Sequence, residues 1–162
     1  MATYDLSFAQ RFAEVAEATV ARGIEDVEGR RVVAYISRVS MELSLKAFLE
    51  HVGVPVSDIK KHWHNLRALL EQVDQCEVEI EISPGVLKWL SASRLRAVDV
   101  GFLGYSATAG VILEAENQGA SVYPNELRYG AIPKDFPAEA LAKGALAISN
   151  WVEIHWNSAR RQ

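Results

Sequence analysis

A chain of 162 residues, 49% of them hydrophobic, is long enough for one domain with a substantial core. A net charge of −4 removes any general attraction to nucleic acid, so a nucleic-acid role would need a local basic patch. The lone Cys76 excludes an internal disulfide, no apolar run reaches membrane-span length, and MATYDLSFAQ has no signal-peptide architecture, so a cytoplasmic, reducing setting is expected.

Ser7-Phe8-Ala9-Gln10 matches a capping box with Ser7 as N-cap, and Phe8, Phe12, Val15 and Thr19 follow on one helical face. Gly23 is placed to end that helix after Arg22. The segment from Arg31 to Gly53 organises the chain. Val32, Ile36, Val39, Leu43 and Ala47 form one helical stripe, and Met41, Leu45, Phe48 and Val52 a second, so this helix is expected to be buried between partners. A polar ribbon, Arg31, Tyr35, Arg38, Glu42 and Lys46, runs between the stripes, beside a line of Ser37, Ser40 and Ser44. Glu42 and Lys46 stand in the favoured order for a helical ion pair.

Ser57 is read as the cap of a third helix with the stripe Ile59, Trp63, Leu66, Leu70 and Val73. Cys76 to Ile82 alternates strictly and predicts a strand or an extended connection. Ser83-Pro84 predicts a new helix start, running through Leu87, Trp89 and Leu90 to about Val98. Between Val100 and Asn117 the glycines at 101, 104 and 110 interrupt an apolar run, read as one or two short helices. Residues 119–133 predict a loop. Asp135, Pro137 and Glu139 open a last helix with Leu141, Ile148 and Val152 inward and Arg160-Arg161 closing its C-terminal end. The expected fold class is all-α: an up-and-down bundle of about five helices in a single domain, with at most a short strand or hairpin near residues 77–82.

Three pieces, in order, resemble the HEPN family of helical domains (higher eukaryotes and prokaryotes nucleotide-binding). Met41 to Leu49 is similar to the family's central helix, His64-Asn65-Leu66 to its His-Asp-Leu helix start with Asn65 in place of the acid, and Arg128-Tyr129 to its Arg-Tyr pair before the last helix. The resemblance covers roughly Arg31 to Arg161. It implies a homodimer, and one of three roles: a ribonuclease toxin, a partner of a minimal nucleotidyltransferase, or a non-catalytic binder of a nucleotide or protein. A shared fold does not select among these.

The ribonuclease branch of that family is marked by an arginine, then four to six intervening residues, then a histidine. The histidine moves the 2′-hydroxyl proton and the arginine holds the phosphate. None of the four histidines has an arginine at that spacing. Nearest is His155, where Asn150 resembles the polar residue after the family's arginine and Ser149 takes the arginine's place. His62 and His64 sit about 200° apart on a helix and cannot share a metal there. Lys60, Lys61, His62, Trp63, His64 and Arg67 are the most basic local stretch: a solvated helix start, or a phosphate-binding one.

The resulting expectation is a non-catalytic accessory that binds a nucleotide or a nucleotidyltransferase-like partner, with ligand-binding candidates Arg38, Lys46, His64, Arg128 and Tyr129 and no cofactor or metal. The alternative is a divergent HEPN ribonuclease of toxin–antitoxin or defence type, using Asn150 and His155, or His64, with RNA as substrate and a cation from elsewhere: Lys46, Arg128 or Arg160.

Overall fold

The computed structural model describes residues 2–101, 107–115 and 137–162. Arg128, Tyr129, Gly104, Asp135 and the loop expected at 119–133 lie outside the described residues.

Three helices pack on one another: α1 (Leu6–Ala21), α2 (Val27–His51) and α6 (Ala138–His155). Their directions follow from contacts along their lengths. Arg30 pairs with Glu139 near the start of α2 and α6, and Phe48 meets Trp151 near their ends, so these two run parallel. Lys143 pairs with Glu17, and the Ser40 hydroxyl donates to the Ala9 carbonyl, so α1 runs against both.

Helix α1 begins two residues earlier than the capping box predicts. The Asp5 carboxylate accepts from Ser7 N–H at 2.8 Å and Phe8 N–H at 3.3 Å, leaving Ser7 inside the helix. A full negative charge answers the N-terminal dipole better than a hydroxyl does.

Helix α2 is buried as expected, but its orientation corrects the stripe reading. The polar ribbon turns inward at Arg38, Glu42 and Lys46, whereas Val32 of the first apolar stripe is 56% exposed. The cause is the serine line. Ser37, Ser40 and Ser44 are fully buried, as are Ala9, Ala13 and Ala16 of α1, so small side chains on both helices let the backbones approach closely.

The single helix expected from Ser57 to Val73 is two helices, α3 (Val56–Lys61) and α4 (Leu66–Val73). Asn65 breaks it. Its side-chain oxygen accepts from Ala68 N–H at 2.9 Å and caps α4, while Pro55, not Ser57, occupies the cap position of α3. Ile59, Leu66, Leu70 and Val73 go inward as expected, and Trp63 is thrown out of the stripe.

The all-α expectation also needs correction, because the mainly helical chain carries a three-stranded antiparallel sheet of order β2-β1-β3. Strand β1 (Cys76–Ser83) pairs with β2 (Val86–Ser91) and with β3 (Ala159–Arg161). Pro84-Gly85, expected to open a helix, is the hairpin turn, with Gly85 at φ 76°. The apolar run after it suits helix or strand, and the edge of β1 selects strand. Arg160 lies in β3 rather than capping a helix. Its guanidinium meets the Glu77 carboxylate at 2.7 Å and lies 3.9 Å from the centroid of the Trp89 ring.

A 3-10 helix (Ala92–Ala97) leads to an isolated bridge between Asp99 and Thr108 and to α5 (Ala109–Glu114). Arg96 ties this corner together through Asp74 and Glu114. Gly110 sits directly on it, since a Cβ there would stand 2.8 Å from the Arg96 carbonyl oxygen. The main core lies between α2, α4, α5 and α6, around Met41, Leu45, Phe48, Leu69, Leu113 and Ile148.

Candidate functional site

The inward turn of α2 creates a buried polar cluster. Glu42 and Lys46 face the same way because they are one helical turn apart, and Lys46 Nζ donates to Glu42 Oε1 at 2.6 Å. The break between α3 and α4 brings His64 to the same carboxylate, with Nδ1 2.8 Å from Oε2. With the proton on Nδ1, His64 donates to the carboxylate and keeps Nε2 as its acceptor. The Glu42 and Lys46 side chains are 9% and 8% exposed, against 37% for His64, so the pair is sealed on the core side and the imidazole opens outward.

The N-terminal segment closes one flank. The Glu50 carboxylate accepts from the backbone N–H of Thr3 and Tyr4 at 2.8 Å. Burial opposes ionisation of Glu50, but these hydrogen bonds outweigh it and hold its pKa below the usual carboxylate value. The segment so pinned places the Tyr4 ring 5.5 Å from Lys46 Nζ. Burial, then the Glu50 and Glu42 charges, push the Tyr4 hydroxyl up, keeping it neutral near neutral pH.

On the outer side, Lys46, Lys60, Trp63 and His64 line a cavity of about 320 Å³. Trp63 is the unusual member. It has φ 50° and is 73% exposed. It follows the C-cap His62 of α3, a position where glycine is favoured because a side chain is strained at positive φ. A large aromatic ring is therefore held in solvent, in a disfavoured conformation, beside two ammonium groups and an imidazole. Glu42 neutralises Lys46, so Lys60 leaves the rim with net positive charge. The arrangement can stack a planar ring and accept an anion.

Of the residues singled out from sequence, Lys46 and His64 come together here through Glu42. Arg38 is buried on the same helix one turn earlier and does not line the cavity. His62 is the C-cap of α3 and does not join His64 at the cavity. Asn150 and His155, both on α6, are not brought together. Asn150 is exposed and lies about 140° around the helix from His155. Ser149 is fully buried with its hydroxyl on the Leu146 carbonyl at 3.1 Å, a core position with no room for an arginine. Arg160, a possible cation for that histidine, is occupied by Glu77.

Sequence reasoning placed Trp63 in a buried stripe. The signal it passed over was the Asn65 cap immediately downstream, which ends one helix and starts another. A larger cavity of about 580 Å³ includes the carboxylates Asp5 and Glu153 and, among the described residues, no cationic side chain. The Cys76 thiol is pushed up to about 11 by burial, which makes it a poor nucleophile. Among the described residues no helix is long and apolar enough to cross a membrane.

No protein-family model matches the chain, and no curated protein and no solved structure is significantly similar to it.

Proposed function

We propose that this chain is a stand-alone HEPN-like domain, acting in the cytoplasm as a non-catalytic accessory that binds a nucleotide. The observation that carries the reading is Trp63, held exposed at positive φ over a rim of Lys46, Lys60 and His64. A purine or pyrimidine ring stacks on the indole, and the lysines take the phosphate. Glu42 has an architectural role: it holds Lys46 in an ion pair and keeps His64 oriented. A minimal nucleotidyltransferase is the class of protein partner that fits such an accessory.

The test separates ligand binding from folding at one residue. Positive φ costs a non-glycine residue roughly 1–2 kcal/mol, offset in part by the roughly 0.5–1 kcal/mol of extra chain entropy that glycine loses on folding. Trp63→Gly should therefore melt at or slightly above the wild-type temperature. In a thermal-shift series with AMP, GMP, CMP and UMP, at least one nucleotide should raise the wild-type melting temperature and leave Trp63→Gly unmoved. No shift with any of the four, or a shift that survives Trp63→Gly, would refute the reading.

The same proposal includes a homodimer. Helices α1, α4 and α6 pack on α2 and cover its second apolar stripe, Met41, Leu45 and Phe48, while Val32 of the first stays exposed. An apolar face remains on α1, where Phe8 and Val15 are exposed and the Phe8 and Phe12 rings stand 4.7 Å apart. Light scattering at micromolar concentration should return twice 17.9 kDa, and Phe8→Lys should return the single mass. A wild-type monomer would count against the pairing.

A further inference from the structure

A second cavity lies on the sheet side of α6, about 490 Å³ in volume and lined by Ile80, Arg94, Ala97, Val98, Trp151 and His155. That volume is in the range of small-ligand sites, roughly 300–1,000 Å³. Its walls come from three elements: β1, the 3-10 helix with the residue after it, and the last turns of α6.

Its charge is simple. Arg96, two residues on from Arg94, is saturated by Asp74 and Glu114, but Arg94 is exposed and forms no hydrogen bond or ion pair among the described residues. The acids of β1 do not answer it. Successive strand side chains alternate faces, so Ile80 on the cavity side puts Glu79 and Glu81 on the other. His155 is set against Trp151 with ring centroids 4.6 Å apart, and Trp151 is backed in turn by Phe48. Partial burial, and then the Arg94 charge, lower the His155 pKa below its ordinary value, so the ring is neutral at pH 7.

The cavity thus offers one positive charge, one neutral imidazole and apolar walls. A phosphate dianion would leave a charge unbalanced against Ile80, Val98 and Trp151. A carboxylate matches the charge, and an apolar body matches the walls. We propose that this cavity binds a small carboxylic acid with an apolar body, Arg94 gripping the carboxylate through two guanidinium N–H groups and His155 adding a third hydrogen bond. The planar guanidinium fork suits a carboxylate in particular. The site is separate from the Trp63 cavity and does not rest on the nucleotide reading.

The experiment follows the His155 ring resonances by NMR, assigned with His155→Gln, during titration with benzoate, hexanoate, inorganic phosphate and hexanol. Benzoate or hexanoate should shift His155 saturably, and phosphate and hexanol should bind at least about tenfold more weakly, the equivalent of about 1.4 kcal/mol. Arg94→Gln, an exposed substitution that should leave the fold intact, should remove the carboxylate effect. Trp63→Gly should not change it. Phosphate binding as tightly as the carboxylates, no response to either carboxylate, or full binding by Arg94→Gln would each overturn the proposal. Metal-free cleavage of single-stranded RNA that disappears in His155→Ala would also overturn it, and would assign Arg94 and His155 to ribonuclease chemistry instead.

Discussion

Glu42→Ala is expected to lower the unfolding free energy by about 3–5 kcal/mol, the range for removing one partner of a buried ion pair. The size comes from what is left behind. Lys46 stays at 8% side-chain exposure while its ammonium loses the carboxylate oxygen that stood 2.6 Å away, and His64 loses the acceptor for its Nδ1–H. The ammonium must then draw water inward or move out toward the cavity it lines. The double variant Glu42→Ala, Lys46→Met removes the stranded charge and should recover much of the loss, so the two effects are non-additive by well over 0.5 kcal/mol. Urea denaturation of the wild type, both single variants and the double variant measures this. A Glu42→Ala loss under about 1 kcal/mol would mean that the pair behaves as a solvated surface bridge, contrary to its burial.

Phe48→Ala should cost a similar amount, about 3–5 kcal/mol, for a different reason. Phe48 is fully buried on the face of α2 that meets α6, and its ring lies 5.6 Å from that of Trp151. Truncation removes apolar area and leaves a cavity between two long helices that are held elsewhere along their length and cannot close on it. Trp151 also backs His155, so the variant should loosen the Arg94 cavity as well. Phe8→Ala is the control: its ring is 55% exposed on α1, and the monomer's stability should change by no more than about 0.5 kcal/mol. Equal losses at Phe8 and Phe48 would contradict the described core.

The sequence by itself determined the local choices. Helical spacing marked α1, α2 and α6, because a 3.6-residue period is visible without knowing what covers it. Strict alternation marked β1 for the same reason. The Glu42–Lys46 pair was legible because both residues belong to one helix, one turn apart. What depends on a distant partner was not legible. Which side of α2 faces inward was decided by the alanines of α1 against its serines, so a polar ribbon was buried and Val32 exposed. Residues 86–91 became a strand because β1 offered an unpaired edge, and Arg160 became part of one for the same reason. His64 reaches Glu42 across 22 positions of sequence, and Arg94 shares a cavity with His155 across a still longer separation. Periodicity records how a segment relates to its own axis. Only tertiary packing decides which charges, rings and backbone edges from different segments meet, and both candidate sites in this protein are built from such meetings.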